Sequence, residues 1–266
     1  KYDNPTGTLN DLYVGKRLGE IWGYTTDGFI MDAAEAAEQS KRQSYISNTW
    51  IPGDIRYADL NGDGVVNEGD SEKGPINTLS NHGDKKVIGN QTPRYRFNIN
   101  LGLSWKNFDV RALFEGVMKR DLWLSNEVFW GFSGVWNSAI NDYHVDNSWS
   151  EDNPNAYYPV PLFNSDRSRK TQTKYLQNAS YIRLRDLTIG YTLPKKWLEP
   201  IGVSQLKVFF SGQNLWEATG LYKYVDPDMT GNTYQKSSDG MVGTLNSDMK
   251  SYPFCRSYSF GINLTF

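Results

Sequence analysis

From Tyr258 to Phe266 the chain alternates without a break: Tyr258, Phe260, Ile262, Leu264 and Phe266 are apolar, while Ser259, Gly261, Asn263 and Thr265 are small or polar. A period of two predicts a β-strand. The same pattern fills residues 94–105, with Tyr95, Phe97, Ile99, Leu101, Leu103 and Trp105 set against Arg96, Asn98, Asn100, Gly102 and Ser104. An Arg and two Asn would be poor core residues, but rings and aliphatics on one face and polar groups on the other suit lipid outside and a wet lumen inside. Lys106-Asn107 predicts a two-residue turn, with Asn taking the positive φ, into Phe108, Val110, Ala112, Phe114, Gly116 and Met118 against Asp109, Arg111 and Glu115. In 181–193 the alternation slips near Arg185-Asp186. Leu187, Ile189, Tyr191 and Leu193 share one face and Ile182 and Leu184 the other, which predicts that the first part rises above the membrane. Pro194 ends this strand, and after a short connection through Gly202 residues 206–214 return, with Leu206, Val208 and Phe210 against Lys207, Ser211 and Gln213.

The connections alternate between short (106–107, 194–205) and long (119–180, 215–257). Short periplasmic turns and long external loops are the rule for outer-membrane barrels. The predicted fold class is therefore all-β, the C-terminal part of a transmembrane antiparallel β-barrel with long extracellular loops and a short loop helix, located in the cell outer membrane. With Phe266 at the periplasmic rim, residues 1–93 become an extracellular loop region and residues 94–266 carry the barrel strands. The helix is predicted from Ala33 to about Gln43, with Asp32 as its cap and Glu35 at the capping-box position. Five strands cannot close a barrel, so further strands are expected upstream.

Composition supports this picture. Aromatic residues make up 14% of the 266 residues, and many stand at alternating positions or beside loop starts, where an amphipathic ring suits a membrane boundary. No apolar run approaches the roughly 18 residues of a spanning helix. A net charge of −2 without a Lys/Arg block argues against nucleic acid as a partner. A single cysteine, Cys255, excludes an internal disulfide, and with only His82 and His144 a zinc site is implausible. No nucleophile with a base, phosphate loop or carboxylate pair emerges, so the chain is not expected to be an enzyme. No export signal follows Lys1, and the chain is expected to be the downstream piece of a longer polypeptide.

The sharpest local motif runs from Asp59 to Asp70. Asp59, Asn61, Asp63, Asn67 and Asp70 stand at positions 1, 3, 5, 9 and 12 of a twelve-residue calcium loop, with Gly64 at position 6 and the Val65 carbonyl at position 7. Calcium is the expected ion, with magnesium as the alternative, and its role would be to stiffen an external loop. Asp70 replaces the usual Glu. Without metal the stretch would be a loop rich in Asx turns. The 119–180 loop holds Trp123, Trp130, Trp136, Trp149, Tyr157 and Tyr158, which suit either contact with sugars or peptide side chains or packing against one another. Asp226-Pro227-Asp228 and Asp239-Gly240 read as turns.

These stretches together resemble the C-terminal part of SusC-like (SusC/RagA) TonB-dependent outer-membrane transporters of Bacteroidetes. The resemblance is carried by Gly23-Tyr24 with Asp27-Gly28-Phe29, the run from Gly53 to Gly64, Val87-Ile88-Gly89-Asn90, and Pro93-Arg94-Tyr95. It continues in Phe108-Asp109-Val110, Phe114-Glu115-Gly116-Val117, the run from Asn178 to Tyr191, Phe210 to Leu215, and Pro253 to Phe266. The resemblance implies a barrel of about 22 strands filled by an upstream plug and energised through TonB. It also implies a SusD-like surface lipoprotein as lid, association of two such pairs, and import of oligosaccharides or peptides. No residue here is assigned to substrate. Three rival readings are a soluble calcium-dependent glycan-binding β-sandwich, an outer-membrane enzyme and a passive porin.

Overall fold

The computed structural model describes residues 4, 7–125, 127–131, 142–163, 165–228 and 254–266. Trp136 and Asp239-Gly240 lie outside the described residues, as does most of the 215–257 loop. The chain divides into two compact units, one drawn from Lys1–Thr92 and Asp121–Gln177, the other from Pro93–Arg120, Asn178–Thr230 and Ser251–Phe266.

In the first unit, β1 (Glu20–Gly23) pairs with β4 (Lys86–Asn90), and β2 (Thr26–Phe29) pairs with β3 (Ile55–Tyr57), both antiparallel. Helix α1 (Ala33–Arg42) begins as expected: the Asp32 side chain accepts from the Glu35 N–H at 2.8 Å. Glu35 reaches back to the Met31 N–H, one residue beyond the usual capping-box partner. The core is formed by Tyr24, Ile30, Ile55, Tyr57, Val66, Leu124, Phe129 and Tyr175, all buried. Because little of this backbone lies in ladders, side chains satisfy it instead. Fully buried Gln43 accepts from the Tyr57 N–H at 2.7 Å and donates to the Ile55 carbonyl, fastening α1 to β3. Fully buried Gln172 joins Thr26 to the carbonyls of Ser168 and Lys170.

The second unit is a five-stranded sheet of β5 (Tyr95–Trp105), β6 (Phe108–Met118), β7 (Tyr181–Thr192), β8 (Gln205–Thr219) and β9 (Ser257–Thr265). Each strand pairs antiparallel with its neighbour in sequence, an up-and-down meander. Trp105 faces Phe108 across the two-residue turn, but the positive φ falls on Lys106 (54°) rather than on Asn107. A two-residue hairpin needs left-handed backbone in its turn, and the first position takes it here. The Lys106 ammonium then lies 4.7 Å from the centre of the Trp105 ring. The 194–205 connection contains a one-turn helix, Lys195–Leu198, which Pro194 precedes.

The slip at Arg185 is a β-bulge. Leu113 faces Asp186 and Phe114 faces Leu184, so Arg185 is the extra residue, and β8 answers with a shift between Gln213 and Trp216. The bulge returns Leu184 and Ile182 to the face that carries Leu187, Ile189 and Tyr191. This corrects the expectation that they point the other way, which came from counting by two across an inserted residue. Strand β8 also runs on to Thr219 instead of stopping at Asn214, for the same reason: its alternation resumes beyond the bulge with Trp216 and Ala218 opposite Leu184 and Ile182.

One face of the sheet is thus apolar from edge to edge, and it is exposed: Phe260 at 82%, Ile262 at 68% and Leu103 at 67%. A sandwich would bury this face against a second sheet. Among the described residues none covers it. The opposite face carries Arg96, Asn98, Asn100, Arg111, Glu115, Thr188 and Lys207, and here Lys207 pairs with Asp109 at 2.7 Å. Gly190 lies between them, where a Cβ would come within 2.4 Å of the lysine stem and 2.7 Å of the Asp109 carboxylate. No helix among the described residues is long and apolar enough to cross a membrane, which says nothing of crossing by strands.

Candidate functional site

The acidic loop folds around its own side chains. Asp59 accepts from the N–H groups of Gly62 (2.6 Å) and Gly64 (2.8 Å), Asn61 from that of Asp63 (2.9 Å), Asp63 from that of Val65 (2.9 Å), and Asn67 from that of Gly69 (2.7 Å). These turns need left-handed backbone at Gly62 (φ 77°) and Gly64 (φ 87°), which a residue with a Cβ adopts only under strain. Burial alone would raise the Asp59 pKa, but the Gly64 and Gly62 N–H groups and the Arg42 guanidinium, 3.7 Å away, bring it below its ordinary value. The loop is tied to α1 through the Val66 N–H, which donates to the Arg42 carbonyl at 2.6 Å.

Asp70 is turned elsewhere. Its carboxylate accepts from the Glu72 N–H at 2.9 Å, capping the 3-10 turn Ser71–Lys73, and pairs with Lys73 at 3.1 Å. The Asn81 amide holds it there by accepting from the Asp70 N–H (2.9 Å) and donating to its carbonyl (2.8 Å). Among the described residues, no three or more His, Cys, Asp or Glu side chains are gathered as a metal set. The oxygens of Asp59, Asn61, Asp63, Asn67 and the Val65 carbonyl suit a hard cation in type, with two carboxylates among them.

A residue outside the motif completes the loop. Asp84 is fully buried and accepts from the N–H groups of Leu60 (2.7 Å), Asn61 (3.4 Å) and Asn67 (2.9 Å), bridging the two halves of the loop. Burial raises its pKa despite these donors, and the nearby Asp59 charge adds to the rise. Nothing in local spacing marks Asp84, which lies 14 residues beyond the end of the motif.

The tryptophans and tyrosines of the 119–180 loop mostly pack on one another. Trp130, Trp149 and Tyr158 are buried, with ring centres 4.7 Å apart for Trp130 and Tyr175 and 4.9 Å for Tyr157 and Tyr158. Trp123 is only half-buried. Asp226-Pro227-Asp228 is a turn, as expected, with the Asp228 N–H donating to Asp226 at 3.0 Å. It also meets the polar face of the sheet. Buried Arg183 pairs with Asp226 (2.5 Å) and with Glu217, and Arg185, the bulged residue, pairs with Asp228 at 3.1 Å. The arginines could be read from the strand pattern, but not their partners.

The fold and its inverted faces define a stretch of outer-membrane β-barrel wall together with a folded unit whose aromatic core holds buried amides and carboxylates. Comparison with known proteins then bears out the resemblance stated above. No family model matches the chain. It is 28% identical over 256 residues to TonB-dependent receptor P3 of Formosa agariphila, covering 96% of this chain and 23% of the relative. It is 25% identical to TonB-dependent receptor P26 of the same organism, covering 81% of this chain and 20% of the relative. Among solved structures, the RagAB peptide transporter superposes with a TM-score of 0.58 at 22% identity, over 97% of this chain and 25% of that one. The RagAB peptide importer in its open-open state gives 0.56 at 21% identity. The chain thus spans about a quarter of the length of the proteins it matches.

Proposed function

We propose that this chain serves in TonB-dependent active import of large nutrients, oligosaccharides or peptides, as barrel wall and external structure of a SusC/SusD-type complex. The observation that carries the reading is the sheet, with an exposed apolar face outside and arginine, asparagine and carboxylates inside, in a chain similar along its length to TonB-dependent receptors. The wall would be embedded in outer-membrane lipid. In this reading a SusD-like lipoprotein closes the external side, TonB engages a part of the protein upstream of this chain, and two pairs associate. No residue acts as a catalyst; the work is done by binding and by energy delivered from the inner membrane. The test is uptake of labelled oligosaccharides and peptide digests by cells that depend on this protein. Uptake should stop when a protonophore collapses the proton-motive force; uptake that continues would make the protein a passive porin and sink the proposal.

Calcium is the proposed ion for the acidic loop, held by Asp59, Asn61, Asp63, Asn67 and the Val65 carbonyl. To complete the set Asp70 would have to leave Lys73 and the Glu72 N–H. Calorimetry on the detergent-purified protein should show calcium binding that Asp59→Ala abolishes, and no heat at millimolar calcium would refute the site.

A further inference from the structure

Within the first unit, a cavity of about 420 Å³ opens between the segment before β1, the end of the acidic loop and the 122–125 and 170–171 stretches. That volume falls in the range of about 300–1,000 Å³ typical of small-molecule clefts. Its walls are of two kinds. Trp22, Tyr24 and Trp123 supply aromatic surface, while the amides of Asn10 and Asn77 and the hydroxyls of Ser125 and Thr171 supply donors and acceptors.

The charged side chains in the wall are already engaged. Lys85 pairs with Glu68 at 2.5 Å, with its ammonium 5.7 Å from the Tyr24 ring centre. Glu20 accepts from the Trp22 ring N–H (2.9 Å), the Arg17 N–H (3.2 Å) and the Tyr13 hydroxyl. The Lys16 ammonium donates to the carbonyls of Leu9 and Asp11, and Lys170 pairs with Asp166 at 2.7 Å. A ligand bearing a net charge, or a peptide presenting its termini, would have to break one of these pairs and leave its partner uncompensated. A neutral ligand rich in hydroxyls meets no such cost, and its C–H faces can lie against indole rings while its hydroxyls reach amides.

The walls are also held in place. The Glu20 carboxylate fixes the Trp22 indole, whose ring lies 5.2 Å from that of His82. Glu68 belongs to the acidic loop, and its carbonyl accepts from the Asn77 N–H at 2.7 Å, so the loop shapes one side of the cavity. Fixed walls spare a ligand the entropy of ordering them.

We infer that this cavity is a binding subsite for a short neutral oligosaccharide, with Trp22 and Trp123 as its stacking residues. The inference rests on the importer reading above and assigns its substrate class. The experiment uses the full protein, purified in detergent, with neutral tetrasaccharides of glucose, mannose and xylose as one set of probes. An alanine tetrapeptide and a tryptic peptide digest form the other set, and binding is followed by calorimetry and tryptophan fluorescence. At least one tetrasaccharide is expected to bind with Kd of about 1 mM or tighter. Trp123→Ala should weaken it by about tenfold, the loss of one stacking contact. Thr171→Trp, which fills the cavity from a different wall, should abolish it while thermal unfolding stays unchanged. Failure of every tetrasaccharide, indifference to both substitutions, or binding of the peptides alone would overturn the inference. Import that depends on the proton-motive force but is unchanged in both variants would remove the cavity and leave the importer standing.

Discussion

In the five-stranded sheet most of the large apolar side chains are exposed and Arg183 is buried, whereas in the first unit aromatic rings fill the interior and carboxylates and amides are among the buried polar residues. The backbone explains the contrast. The sheet satisfies its N–H and C=O groups through its ladders, so its side chains are free to match lipid on one side and water on the other. The first unit has short strand pairs and much irregular chain, and an irregular chain leaves backbone groups that something else must satisfy. Asp54, Asp84, Gln43 and Gln172, all fully buried, do this. In one unit polar side chains line a face, and in the other they replace a ladder.

The largest test of that difference is Asp54. Its carboxylate takes Arg167 (2.7 Å), the Ser168 hydroxyl (2.7 Å) and the Ile51 N–H (3.0 Å). Asp54→Ala strands a mostly buried guanidinium and should cost about 3–5 kcal/mol. Denaturant unfolding followed by fluorescence of the tryptophan-rich first unit measures it, and a cost under about 1 kcal/mol would mean that this buried carboxylate does not hold the irregular chain together.

On the sheet the damaging change is the reverse one, a charge on the exposed face. Phe260→Arg should cost about 2–4 kcal/mol if its site lies near the bilayer midplane, and Phe260→Leu should cost far less. Folding yield into lipid vesicles compares the two. Equal tolerance of both would mean that this face does not meet lipid.

Asp84→Asn comes next, at about 1–3 kcal/mol, because an amide nitrogen would face N–H groups that now meet an oxygen. Its pH behaviour has a definite sign. A carboxyl whose folded pKa is raised is stabilising below its unfolded value, near 3.8, and loses that contribution as pH climbs through the folded value. The wild type should therefore gain on the Asn variant as pH falls through this window; a gap that narrows on acidification would contradict it.

The smallest effect concerns Lys174. Burial lowers its pKa from 10.5 to about 8, although the Phe29 ring, whose centre lies 3.6 Å from the ammonium, works in the opposite direction. Below about pH 8 both folded and unfolded states hold the proton and the cost of the buried charge is present in full. Between about pH 8 and 10.5 the folded state has released it while the unfolded state has not, so stability from this group rises with pH. Lys174→Met should flatten that rise, measured as the difference in Tm between variant and wild type across the window. An unchanged slope would place the ammonium in solvent.

The strands were legible because alternation is local. Tyr258 to Phe266 needs only its own nine residues to declare a two-faced strand, and the turn at Lys106-Asn107 only its two. The acidic loop was legible for the same reason, since its glycines and Asx turns act within a few residues. Other features required the tertiary structure, because each depends on residues far apart in the chain. Whether Ile182 and Leu184 face outward is decided by their partners: β6 passes over Arg185 as an extra residue, while β8 sets Asn214 and Leu215 opposite it. Asp84 closes the acidic loop from outside its motif, and Asp70, the last residue of the motif, is held elsewhere by Asn81. The tryptophans divide between core and cavity wall only when the 119–180 stretch folds against residues 1–92. Periodicity determined the faces of this protein, and packing decided which polar groups meet.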